Sequence, residues 1–290
     1  MTTVNEFFDM RSAPLRIGMV RLDVRDLDAV ATFYKSVLGL TSLETAGGRM
    51  TLGTDTNPLL ELVGDPALAP NDRRQAGLFH TAFLMPSRAD LARWLAHAAT
   101  LRVPLQGASD HIVSEAIYLA DPEGNGIEVY ADRPVPHWRT PAGEIHIATE
   151  RLDMQDLLDA AGGSAWAGFP DEGVVGHVHL QVGDVTEAEG FYGGVLGFDI
   201  ASRYPGASFF GSGGYHHQLA GNVWNSRRAG PRPDDMAGLH EVELVARDAA
   251  AGNAIAERAE AAGVHVTRNG DALTLRDPWG TRITVTHQRN

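Results

Sequence analysis

The chain contains no cysteine. That absence excludes disulfides, thiolate metal sites and a cysteine nucleophile, so any metal must be held by nitrogen and oxygen donors from histidine, aspartate and glutamate. Positive charge is also scarce: 24 Lys and Arg stand against 37 Asp and Glu, a formal charge of −13, and no Lys/Arg-rich stretch offsets it locally. A surface of that sign repels phosphate backbones and anionic lipid, which removes nucleic acid and membrane surfaces from the expected partners. No apolar run approaches the length that spans a bilayer, and the opening MTTVNEFFDMRSAPLR lacks the apolar centre of a secretory signal. A soluble cytoplasmic protein is the expectation. Apolar residues are plentiful, 43% of 290, enough to build two cores of ordinary size.

The strongest positive signal is repetition. GMVRLDVRDLDAVATFYKSVLGL from Gly18 returns as GHVHLQVGDVTEAEGFYGGVLGF from Gly176, an offset of 158 residues (176 − 18). GLFH ending at His80 and AGLH ending at His240 keep nearly that offset, as do DPEG from Asp121 and DPWG from Asp277. The chain is therefore a tandem duplication, and where the copies differ in polar residues one can carry chemistry that the other has lost.

Each copy divides again. Unit one, about Ile17 to Val63, opens on the alternating strand IGMVRLDV, continues into a helix with Asp26 as N-cap, and ends in three short segments, TSLETA, RMTLGT and PLLELVG, that read as strands. Unit two, about Leu78 to Tyr130, repeats the βαβββ plan with Ser87 as N-cap and strands around Leu105, Ser114 to Leu119 and Gly126 to Tyr130. Units three (from Gly176) and four (from Leu239) follow it. Residues 1–133 are read as a first module of two units, 134–174 as a Pro/Gly-rich linker with one short helical candidate, LDMQDLLDAA, and 175–290 as a second module.

Four such units, marked by FYKSVLGL, FYGGVLGF, DPEGNGIEVY and DPWGTRITV, resemble the vicinal oxygen chelate superfamily, whose members include glyoxalases, antibiotic-resistance proteins and extradiol ring-cleavage dioxygenases. The resemblance implies an α+β fold in which four βαβββ units form two modules with curved mixed sheets around a metal cleft. In that superfamily the ligands project from the first and last strands of paired units, which here places Met19 and Glu61, His80 and Glu128, His177 and His216 or His217, and His240 and Thr284 at the candidate positions. Units two and three are fully equipped, whereas Met19 is a poor ligand for a hard ion and Thr284 stands where a carboxylate is needed. Two imidazoles and one carboxylate, His80, His177 and Glu128, leave three open positions on an octahedral ion. This set requires unit two to pair across the linker with unit three. His179 shares a strand face with His177 and is the rival ligand.

The group most similar is the catechol 2,3-dioxygenases. The likeness of GYHHQLA to their His-His-x-Leu-Ala segment implies acid/base work for His217, and Tyr118 matches the tyrosine that hydrogen-bonds the substrate oxygen. His111 is expected as a further second-sphere donor, with a spacing to Tyr118 shorter than the family's. His216 and His217, read as neighbours on a strand, point to opposite faces, so only one, His217, lines the cleft. The implied cofactor is Fe2+, with Mn2+ as the other candidate, and the implied partners are a catecholic small molecule and O2. Relatives that assemble through exposed sheet edges add a homodimer. Two rivals stand beside this: a glyoxalase-like lyase or isomerase using His80, Glu128, His177 and His217 around Ni2+ or Zn2+, and a metal-free protein that sequesters a drug or aromatic compound. His240 and Glu61 are read as structural or solvated, and Trp224 and Tyr204 as packing residues, with a place at the substrate mouth as the alternative.

Overall fold

Each unit starts on a strand of alternating polarity and turns into a helix at an Asp or Ser that can cap it. In the computed structural model, which describes residues 6–288, unit one comprises β1 (Leu15–Val24), α1 (Leu27–Phe33), β2 (Thr41–Ala46), β3 (Arg49–Gly53) and β4 (Pro58–Gly64). Unit two comprises β5 (Gly77–Leu84), α2 (Arg88–Thr100), β6 (Gly107–Asp110), β7 (Ser114–Ala120) and β8 (Gly126–Asp132). The connecting segment contributes β9 (Glu150–Arg151) and α3 (Met154–Asp159). Unit three follows with β10 (Val174–Gln181), α4 (Val185–Ala188), β11 (Asp199–Tyr204), β12 (Ala207–Gly211) and β13 (Leu219–Asn222), and unit four with β14 (Gly238–Ala246), α5 (Ala249–Ala261), β15 (Thr267–Asn269), β16 (Ala272–Arg276) and β17 (Arg282–His287). The four caps occupy the same place in each unit: Asp26 accepts from the Ala29 amide, Ser87 from Asp90, Asp184 from Glu187 and Asp248 from Ala251.

Two departures from the sequence reading have local causes. The strand expected around Leu105 begins at Gly107, because Pro104 has no N–H to offer and pairing with β7 starts at the Gln106 amide. The connecting segment is more than a tether: β9 adds an edge to a sheet by pairing with β6, and Trp138 is fully buried beside Tyr215.

The strands form two curved mixed sheets. One has the order β15-β16-β17-β14-β1-β4-β3-β2 and the other β11-β12-β13-β10-β5-β8-β7-β6-β9. The opening strands β5 and β10 lie side by side antiparallel, as do β1 and β14, so each sheet takes one unit from each half of the chain. A continuous apolar core, including Val20, Phe83, Trp94, Val178 and Leu244, joins the sheets and helices.

The repeated fingerprints are two halves of one buried contact. In the second copy the hydroxyl of Tyr192, from FYGGVLGF, donates to Asp277 Oδ2 (2.7 Å), while Asp277 Oδ1 accepts the Trp279 and Thr281 amides of the DPWG turn. Asp121 holds its own DPEG turn through the Glu123 and Asn125 amides. Burial pushes the Asp277 carboxyl up to about 6, against which the Tyr192 and turn hydrogen bonds pull. A carboxyl whose pKa is raised on folding contributes most below its unfolded value near 3.8, and that contribution is lost as pH rises towards 6. Asp277→Asn keeps an acceptor for both amides and removes the charge. We therefore expect its stability relative to the parent, read by urea unfolding, to improve between pH 4 and 6 by up to about 3 kcal/mol and then to level off. A deficit independent of pH would contradict this account.

Candidate metal centre

Strand register alone brings the expected donors together. His177 on β10 pairs with Ala82 on β5, Ala82 is level with Glu128 on β8, and Glu128 pairs with Tyr118 on β7. Within this row the small Ala82 separates an imidazole from a carboxylate, and His80, two residues before Ala82, projects from the same face. His80 Nε2 and His177 Nε2 lie 3.0 and 3.3 Å from Glu128 Oε2. One ligand atom from each of the three residues falls within 4.8 Å of the others. All are buried, at 5% (His80), 3% (Glu128) and 2% (His177) exposure.

The chemistry of this trio fits a divalent cation. Burial drives the His177 imidazole down to about 4, so at neutral pH it is a free base with a lone pair to offer. For Glu128, burial pushes the carboxyl upward and positive charge on the His177 and His80 imidazoles pulls it down, a pull that His177, neutral at this pH, does not supply. His80 Nε2, although 3.0 Å from Glu128 Oε2, makes no well-directed hydrogen bond among the described residues. A buried carboxylate beside orphaned imidazole nitrogen is costly unless a cation unites them. His177, not His179, is the ring that lies against Glu128; His179 pairs in register with His80 and packs among Phe79, Phe209 and Trp224.

Two hydrogen-bonded chains flank the trio. On one side His111 Nδ1–H donates to the Ala148 carbonyl (2.6 Å), which leaves its Nε2 as the acceptor for the Tyr118 hydroxyl (2.6 Å). Burial and then the charge of Glu128 raise Tyr118 well above the ordinary tyrosine value, so it stays a phenol. On the other side His216 Nε2–H donates to Asp132 Oδ1 (2.8 Å), its Nδ1 accepts from His217 Nδ1–H (2.8 Å), and His217 Nε2 is left as an unprotonated base. Burial lowers His217 well below the usual histidine value, so the ring is neutral. The strand alternation expected for His216 and His217 does not hold, because Gly213 and Gly214, at φ 68° and 86°, turn the chain between β12 and β13 and let the two rings touch. The outcome is still that His217 alone lines the cleft.

The cleft is a cavity of about 320 Å³ bounded by the trio, by His111, Tyr118, His217 and Phe209, and by Ile147 and Thr149 from the connecting segment. Tyr204 and Trp224, read from sequence as packing residues, stand at its mouth with 44% and 46% exposure. A profile of the Glyoxalase/Bleomycin resistance protein/Dioxygenase superfamily matches residues 16–129 and 174–285. The chain belongs to this superfamily. It is 36% identical over 267 residues, 90% of this chain and 93% of the other, to a protein named catechol-2,3-dioxygenase from Bacillus subtilis (strain 168). Its fold is shared with glyoxalase I from Zea mays at a TM-score of 0.58, with 16% identity over 94% of this chain and 92% of that one. A point mutant of the maize enzyme gives 0.61, with 15% identity over 96% and 95%. Identity to a dioxygenase along nearly the whole chain supports a dioxygenase-like function, and with the His-Glu-His set it implies a divalent metal.

In the other sheet the two corresponding positions that carry donors, Glu61 and His240, are engaged by other side chains. Glu61 is engaged by Arg21 and Arg49, and His240 Nδ1 lies 2.8 Å from Asp23 Oδ2. Among the described residues only His80, Glu128 and His177 form a three-donor group. Sequence reasoning missed Asp132 and the Ala148 carbonyl. Asp132 carried a signal, since Glu128, Tyr130 and Asp132 alternate onto one face of β8. Ala148 carried none, because only the folded connecting segment brings it to His111. Gly176, beside His177, is required sterically: a Cβ there would sit 1.8 Å from the Tyr130 hydroxyl, which hydrogen-bonds Tyr215.

Proposed function

We propose that this protein is an extradiol ring-cleavage dioxygenase acting on catechol or a substituted catechol, with Fe2+ as the metal, Mn2+ as the other candidate, and O2 as co-substrate. The observation that carries this reading is a buried set of two imidazoles and one carboxylate with an unprotonated histidine base beside it, a set suited to non-haem iron with positions left open. His80, Glu128 and His177 would hold the ion. When bound, it supplies electron exchange between an aromatic diol and O2 and keeps the reactants in one place. His217 Nε2 accepts a substrate hydroxyl proton, with the developing imidazolium stabilised through His216 by Asp132. Tyr118, whose own proton is directed at His111, offers its oxygen lone pairs to the second substrate hydroxyl and can hand a proton on to His111. The apolar walls exclude water from the reacting centre.

A glyoxalase-like reaction would use His217 as a fourth ligand. The three-donor group does not include it, which favours the base role. The test is anaerobic loading with Fe2+, then catechol and air, with the visible spectrum recorded. A yellow ring-fission product, absent from His80→Ala and Glu128→Ala, is expected. Tight metal binding with no product from any catechol would overturn the dioxygenase reading.

A further inference from the structure

The cavity has a composition that its proposed chemistry does not require. Among the described residues no lysine or arginine lines it, and Glu128 is its only carboxylate. Arg133, a guanidinium on the nearby sheet edge, is held by Asp110 and Glu115, and Arg73 lies beyond the Phe79–His80–Tyr118 wall with its Nη2 on the Gly124 carbonyl. With Glu128 engaged by the metal, an anionic substituent reaching from the ring towards the mouth would be desolvated with no lysine or arginine to pair with it, and the chain's charge of −13 opposes its approach.

Size and walls point the same way. A cavity of roughly 150 Å³ holds benzene, so about 320 Å³ takes a catechol ring and a further group of comparable size. Phe79 and Phe209 on the walls and Trp224 at the mouth are arranged around His179, with ring centroids 5.0, 5.9 and 5.4 Å from it. Phe79 and Trp224 meet edge to face at 5.4 Å, and the Trp224 indole is pinned by its N–H to the Pro205 carbonyl. His179 is 3% exposed, and its Nε2 finds no partner among the described residues. A buried polar atom left without a partner marks a place where a ligand atom gains by arriving.

We infer that this cavity selects an uncharged catechol bearing a largely apolar substituent up to the size of a second ring, seated against Phe79, Phe209 and Trp224, with His179 Nε2 as the hydrogen-bond partner of an uncharged polar atom where the substituent carries one. The inference rests on the catechol reading above and deepens it. It assigns specificity to His179 and Trp224, neither of which belongs to the proposed ligand set or acid/base pair.

The test is a panel: catechol, ethyl-, acetyl- and phenyl-substituted catechols, and 3,4-dihydroxybenzoate. Each is measured for kcat/KM in air and for Kd by anaerobic titration into the metal-loaded protein. Phenyl- and ethylcatechol are expected to exceed catechol about tenfold or more, and the carboxylated compound to fall at least about tenfold below it. Trp224→Ala should shrink the phenyl-to-catechol ratio about tenfold, and Trp224→Arg should raise the dihydroxybenzoate-to-catechol ratio by a similar factor. His179→Phe should lower the acetyl-to-ethyl ratio. Comparable values for carboxylated and apolar compounds, or ratios unmoved by the Trp224 variants, would overturn the inference. If nothing is cleaved, the anaerobic Kd values still read the preference, so failure of the reaction and failure of the specificity are told apart.

Discussion

Glu128→Gln is expected to abolish metal-induced stabilisation and ring cleavage together while leaving the metal-free protein at pH 8 at least as stable as its parent. The sign of the second effect separates a metal site from a structural ion pair. If Glu128 served to pair with a protonated histidine, removing its charge would leave a buried cation and destabilise the fold by roughly 3–5 kcal/mol. But burial drives the His177 imidazole down to about 4, so at pH 8 that partner is neutral. A fully buried carboxylate facing neutral imidazole nitrogen is a liability in the metal-free chain, and glutamine of the same shape relieves it. The metal reverses the balance: at a free concentration a thousandfold above its Kd it adds about 4 kcal/mol to the parent and nothing to the variant. Melting curves with and without Fe2+ on both proteins give four numbers that decide the matter. A variant that loses several kcal/mol with no metal present would mean that Glu128 holds the fold rather than an ion.

Much of this arrangement can be read from the chain because strands are periodic and the duplication marks their register. His80 and Ala82, His177 and His179, and Glu128, Tyr130 and Asp132 each fall on one face by alternation, and the DPEG and DPWG turns show where the last strand of a unit begins. The helix caps were legible for a similar reason: Asp26 and Ser87 bond amides only three residues away. Contacts made by loops were not legible. Alternation misplaced His216 relative to His217 because two glycines at positive φ take that segment out of the strand. His216 meets Asp132 across 84 residues, and His111 meets Ala148 through a segment whose composition reads as a tether. No local pattern encodes such meetings, since they depend on where the sheets put the loops. The pairing of unit two with unit three was reached from the donors, because a hydrophobic pattern says which face of a strand is buried and not which strand lies beside it.

Asp132→Asn is expected to lower kcat by about 10²–10⁴-fold while leaving metal affinity unchanged. In the parent the carboxylate can only accept, which fixes His216 with its proton on Nε2, fixes His217 with its proton on Nδ1, and leaves His217 Nε2 free to take a proton from the substrate. Tyr215 also donates to Asp132 Oδ1 (3.2 Å), so the carboxylate is already fully oriented. An asparagine in the same space can turn its NH2 towards His216. That reverses both tautomers and places a proton on His217 Nε2, where a base is needed. Charge matters as well as direction, because the imidazolium formed when His217 accepts a proton is stabilised through His216 by the carboxylate and not by an amide. The loss should therefore appear in kcat more than in KM, since nothing that touches the bound ring has been removed. Anaerobic metal titration is the control: Asp132 lies outside the His80–Glu128–His177 group, so its replacement should leave the titration superimposable on the parent's. Parent-like turnover with the asparagine in place would mean that His217 takes its proton without instruction from Asp132, and the base would then have to be sought on the Tyr118–His111 side of the cavity.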